Sequence, residues 1–139
     1  MLYTTYRHHG PNDTEKTDLT LNEWTSVLKL STMWCFTRLR RTAIDTMKPM
    51  LIYGDPVQCI VLSRKYEVHE WLSPGLHALA RRDAPLQFDE VNVLGILTII
   101  RMAEVRESVI NGRYGACPRG SFDFSPIIRR VFGDELKEK

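Results

Sequence analysis

The sequence predicts an all-α protein, a bundle or stacked set of helical pairs, and three observations carry that reading. Apolar residues recur at three- and four-residue spacing along most of the chain, which is the pattern of helices that each bury one face. Helix-starting signals such as Thr20-Leu21-Asn22-Glu23 and Asp55-Pro56 stand directly before those stripes. No segment sustains the period-two alternation of a half-buried strand, although short stretches such as Met50 to Tyr53 are ambiguous.

Residues 1–18 include the turn-rich run Gly10-Pro11-Asn12-Asp13 and read as a loop or loosely docked arm. A helical domain is expected over residues 19–112. Thr20 and Glu23 form a capping box, in which each side chain satisfies an amide left free at a helix start. Leu21, Trp24, Val27, Leu28, Ser31 and Trp34 then make the first stripe, and Phe36, Leu39, Ala43, Ile44 and Met47 the second, so the two helices pair antiparallel. Proline disfavours helical geometry in the residue before it, and Lys48-Pro49 is read as the end of the second helix.

Asp55 as N-cap and Pro56 at the first helical position open a third helix carrying Val57, Ile60, Val61 and Tyr66. Val68, Trp71, Leu72, Leu76, Leu79 and Ala80 keep the helical period through His69 to Arg82, with Ser73-Pro74 expected to divide it into a turn and a longer helix. Asp83-Ala84-Pro85 breaks the chain, and a short helix capped by Asp89 follows. Ile96, Ile99, Ile100 and Ala103, extended by Val105 and Val109, mark the most apolar helix, which is expected at the centre and to end near Asn111-Gly112. Residues 113–139 read as an irregular tail with a short helix near 126–132, started by Ser125-Pro126 and stopped by Gly133. The total is about six or seven helices.

At 139 residues the chain has single-domain length, and its 43% hydrophobic and 26% charged content is that of an ordinary water-soluble domain. The formal charge of +2 provides no strong field toward phosphate or anionic lipid. The longest apolar run, Val93 to Ile100, is too short to span a bilayer, and residues 1–10 hold no apolar signal core, so a cytoplasmic or nuclear location is expected. Cys35, Cys59 and Cys117 are far apart and form no C-x-x-C pair, so they read as reduced thiols.

The run Leu21-Asn22-Glu23-Trp24-Thr25-Ser26-Val27-Leu28-Lys29-Leu30-Ser31-Thr32-Met33-Trp34, followed by Phe36, Arg40 and Ala43-Ile44, resembles the helical region that follows the BTB/POZ domain in fungal BTB proteins. Asp55-Pro56-Val57, Ile60 to Tyr66, Glu70-Trp71-Leu72, Pro85-Leu86, Leu94-Gly95 and Val105-Arg106-Glu107 extend the resemblance over roughly residues 19 to 110. It implies a helical protein-interaction adaptor without a cofactor. The BTB domain, of which Met1 to Tyr6 is at most the end, is not in this sequence, so dimerisation or cullin recruitment through that domain does not carry over.

Chemistry-bearing patterns are sparse. His8-His9 lack Cys or carboxylate at ligand spacing, and His69 and His77 stand two turns apart and read as half-buried helix residues, so no metal site is expected. No G-x-S-x-G, phosphate loop or His-Glu-x-x-His motif appears, and no catalytic residue is assigned. Trp24, Trp34 and Trp71 lie on the stripes and are expected in the core, each indole N–H reaching a carbonyl or water. The candidate interaction surface is the tail, Phe122, Phe124, Ile127, Ile128, Val131 and Phe132, for either a protein partner or the chain's own domain, in cis or exchanged within a homo-oligomer. The alternative function is a nucleic-acid-binding helical domain with Arg38, Arg40 and Arg41 as its basic face.

Overall fold

A computed structural model of the chain describes residues 18–109 and 119–137 and folds them into seven α-helices and one 3-10 turn, with no strand among the described residues. Residues 1–17 of the predicted arm, His8 and His9 among them, the expected helix end at Asn111-Gly112 and Cys117 lie outside the described residues.

Helix α1, Leu21–Met33, begins at the capping box: the Glu23 amide donates to the Thr20 hydroxyl at 3.3 Å and the Thr20 amide to the Glu23 carboxylate at 2.7 Å. It ends without glycine. Cys35 takes the left-handed conformation at φ 58°, and the Phe36 amide reaches back to the Ser31 carbonyl at 2.9 Å, the six-to-one bond of a Schellman turn. The same device closes α3, with Glu67 at φ 54° and the Val68 amide on the Ser63 carbonyl at 2.9 Å. A non-glycine residue in that conformation costs about 1–2 kcal/mol. Both turns therefore depend on the helices that follow them.

Helix α2, Thr37–Ile52, runs through Pro49, contrary to the expected stop. A proline in the last turn forfeits one hydrogen bond, to the Asp45 carbonyl, and the Tyr53 amide still closes on the Pro49 carbonyl at 3.1 Å. After it comes α3, Pro56–Lys65, capped as predicted by the Asp55 side chain accepting from the Val57 amide at 3.0 Å. Helix α4, His69–Arg81, is likewise one helix across Pro74. Burial of Trp71, Leu72, Gly75, Leu76, Leu79 and Ala80 along its length outweighs the missing bond, which costs about 3 kcal/mol.

Helix α5, Glu90–Leu94, has Asp89 at its N-cap position, but the cap bond is absent; the Glu90 carboxylate accepts from the Gln87 amide at 2.9 Å instead. Gly95, at φ 83° and ψ 149°, turns the chain into α6, Ile96–Glu107. The 3-10 turn, Arg119–Ser121, leads into α7, Ser125–Leu136. Asp123 accepts from the Ser125 amide at 3.0 Å, and Pro126 fits the first turn. Gly133 does not stop α7, because Phe132 and Leu136 on either side of it pack on the core.

The central element is α4, packed on α2, α3, α6, α7 and the 3-10 turn, and not the apolar α6. With α3 it forms a partition with core on both sides. One cluster holds Leu28, Ala43, Met47, Leu51, Cys59 and Trp71; the other holds Ile60, Leu76, Leu79, Met102, Phe124, Ile128 and Phe132. Gly75 lets the two partition helices approach closely, since a Cβ there would stand 2.9 Å from Ile60 Cγ1 and 3.3 Å from Cys59 Sγ. Arg64 ties α3 to the far side, pairing with Glu135 at 2.7 Å and donating to Thr98 at 3.0 Å and the Leu94 carbonyl at 3.3 Å.

Candidate interaction surfaces

The predicted tail surface is part of the core. Phe124, Ile128 and Phe132 are fully buried, and Phe122, Ile127 and Val131 pack half-buried against them. Phe122 and Phe124 meet edge to face with ring centroids 4.8 Å apart. The His77 ring faces the Ser125 hydroxyl at 3.3 Å, and Arg130 pairs with Glu104 at 2.9 Å. This apolar face is spent within the chain, so the division at residue 112 does not separate two structural units.

The basic face is also largely committed. Arg40 donates to the Tyr66 carbonyl at 2.8 Å and to Thr32 at 3.2 Å, which satisfies the exposed end of α3. Arg41 sits between Asp45 and Glu70, with Glu70 at 2.9 Å, and the two carboxylates hold its guanidinium more firmly protonated than usual. Arg38 stays exposed. One uncommitted guanidinium of the three leaves less charge for phosphate than the sequence promised.

Exposed apolar area lies elsewhere. At the corner where α1 passes into α2, Leu30, Met33, Trp34, Phe36 and Leu39 face solvent, Trp34 at 60% exposure and Met33 at 63%. Trp34 and Phe36 stack edge to face at 6.0 Å. Trp34, Phe36 and Leu39 were expected in the core. They miss it because the Cys35 turn carries them past the end of the packed stripes, where Leu28, Ser31, Ala43 and Ile44 do the burying. Trp24 is half-buried and Trp71 fully buried, its indole N–H meeting no acceptor among the described residues. A second apolar strip, Val93, Ile96, Leu97 and Ile100, lies along α5 and α6.

The stretch that forms the corner carries only basic charge of its own. Between Trp24 and Ile44 the sequence holds Lys29, Arg38, Arg40 and Arg41 and no carboxylate. This stretch is visible in the sequence as a run without acid, but its Trp and Phe fit the helical period well enough to pass for core.

Other groups offer little chemistry. Burial pushes the Cys59 thiol up to about 11, and its sulfur lies 3.3 Å from the Trp71 carbonyl, the reverse of an activated nucleophile. His69 is exposed, not half-buried, and His77 is half-buried as expected. Among the described residues no three His, Cys, Asp or Glu side chains gather as metal ligands, and no helix is long and apolar enough to cross a membrane. A pocket of about 610 Å³ beside Arg64, His69, Arg101 and Glu135 carries charges of both signs, with Arg64 and Glu135 already paired. Compared with protein-family models, with curated proteins and with solved structures, the chain matches none.

Proposed function

We propose that the protein is a non-catalytic protein-interaction adaptor and that the α1–α2 corner is its docking surface, for a partner segment that is amphipathic and acidic. The observation that carries the reading is the exposed cluster of Leu30, Met33, Trp34, Phe36 and Leu39 beside Lys29 and Arg38, on a stretch without a single carboxylate. Contiguous exposed apolar side chains of this kind mark interaction sites, and aromatic, Met and Arg residues are those enriched where proteins meet. The basic flank selects the sign of the partner. The resemblance of residues 19 to 110 to the helical region of fungal BTB proteins supports the same class of function.

The test uses the full chain and a panel of labelled amphipathic helical peptides of matched hydrophobicity, acidic or basic. Acidic peptides should bind saturably with micromolar affinity, shift Trp34 emission to the blue, and lose binding in Trp34→Ala/Phe36→Ala, whose melting should be nearly that of the parent. Equal binding of acidic and basic peptides, or binding indifferent to the double substitution, overturns the reading. Duplex DNA bound with a steep salt dependence would favour the nucleic-acid alternative instead.

A further inference from the structure

A second feature lies away from that corner, where α4 ends, α6 passes and the 3-10 turn begins. Three arginines meet there. Arg82 is satisfied, holding the Glu90 carboxylate with two bonds at 2.7 and 3.0 Å and the carbonyls of Ala84 and Pro85 at 3.3 and 2.9 Å. Arg106 and Arg119 are not. Both point at one acceptor, the Arg82 carbonyl, at 2.9 Å from Arg106 Nη2 and 3.5 Å from Arg119 Nη1. Arg106 is only 6% exposed, and its other terminal nitrogen, Nη1, is buried with no hydrogen-bond partner among the described residues; the same is true of Arg119 Nε.

An ionised group that is buried and left unsatisfied is strongly destabilising. Burial first, then the positive charges of Arg119 and Arg82, press the Arg106 guanidinium below its ordinary value, although arginine does not deprotonate in proteins. The buried carboxylate nearby, Glu90, is engaged by Arg82, whose hydrogen bonds lower its pKa from the ordinary glutamate value. Glu107, exposed, and Asp83 are the other acids of this neighbourhood, and neither bonds Arg106 or Arg119 among the described residues. Arg106 and Arg119 line a pocket of about 210 Å³ together with Pro85, Leu86, Ala103 and one acid, the exposed Glu107.

We propose that Arg106 and Arg119 bind the phosphoryl group of a phosphate monoester, with its organic stem against Pro85, Leu86 and Ala103. Two cations match a group that carries about −1.5 to −2 at neutral pH and offers three strong acceptor oxygens. The pocket holds one small group, less than the 300–1,000 Å³ or so typical of a drug-sized ligand. The ester is either a free small molecule or a phosphorylated side chain of a protein. The site shares no residue with the α1–α2 corner, so it stands or falls independently of the adaptor reading.

The test follows the arginine Nε–H signals of the full chain, labelled with nitrogen-15 on arginine, at constant ionic strength. Phenyl phosphate, benzoate, a phosphoserine peptide and its unphosphorylated form are titrated. Phenyl phosphate should shift the Arg106 and Arg119 signals saturably, and Arg119→Gln, at a half-buried position, should weaken it about tenfold or more while the melting curve stays close to that of the parent. Arg129→Gln, on an exposed face of α7, should leave affinity unchanged. Tighter binding of the phosphopeptide assigns the site to a protein ligand, and binding of phenyl phosphate alone to a small molecule; both support the proposal. Absence of saturable shifts, an affinity unaltered in Arg119→Gln, or benzoate binding as well as phenyl phosphate overturns it.

Discussion

Helices α6 and α7 each have twelve residues, and their outcomes are opposite. Helix α6 has the more apolar sequence, yet Ile96, Leu97 and Ile100 face solvent and the buried side consists of Thr98, Met102, Val105 and Arg106. The sequence of α7 reads as a detached tail, yet Ile128 and Phe132, with Phe124 before them, sit at the middle of the larger core cluster. The number of apolar side chains a helix carries did not decide which one is central. In α6 two stripes compete, Ile96-Ile100-Ala103 and Thr98-Met102-Val105, two residues out of step and so roughly 200° apart around the helix. The second faces α4 and α7, the helices on which α6 packs, and there Met102 and Val105 join the core while Arg64 of α3 bonds the Thr98 hydroxyl at 3.0 Å.

The largest expected effect that tests this contrast is in α7. Phe132→Ala should cost about 3–5 kcal/mol, the usual loss for a large buried aromatic, and a chain ending at Gly120 should melt far below the parent or fail to fold cooperatively. Thermal and urea unfolding measure both, and an unchanged melting curve would mean that α7 does not close the core. Of intermediate size is Gly95→Ala. Its φ of 83° with ψ of 149° is a region open essentially to glycine, so a side chain there should cost about 1–3 kcal/mol and loosen the set of α6 relative to α5. Amide exchange of the α6 residues Thr98 to Val105 should accelerate in that variant; unaltered exchange would show that packing alone orients the helix. The smallest effect belongs to Ile96→Ser and Ile100→Ser, each expected within about 0.5 kcal/mol of the parent by urea unfolding. A loss of several times that would place those side chains in a buried contact.

Much of the architecture was legible beforehand because it rests on local chemistry. The capping box at Thr20-Glu23 and the Asp55-Pro56 start appear where the sequence puts them, since their partners lie within three residues. The two internal prolines misled, since their cost is local and the compensation, the burial of Trp71, Leu76 and Leu79 along α4 and of Met47 and Leu51 along α2, is not. The helix ends at Cys35 and Glu67 carried no glycine to announce them. The candidate surfaces were the least legible. Trp34 and Phe36 share the helical period of the buried residues, and only the position of the turn between α1 and α2 puts them outside. No motif links Arg82, Arg106 and Arg119, which are 24 and 13 positions apart along the chain and meet only when α4, α6 and the 3-10 turn converge.

By itself the sequence determined that this chain is helical and where most of its helices begin, because capping and periodicity are satisfied by groups within one or two turns of each other. Which face of each helix is buried, which helix is central and which apolar side chains are left to solvent were decided by the tertiary structure. Burial depends on area removed from water by neighbours distant in the chain, and a stripe states only that a face can be buried. The α3–α4 partition, closely packed at Gly75 and locked to α7 through Arg64 and Glu135, made that choice for every helix around it.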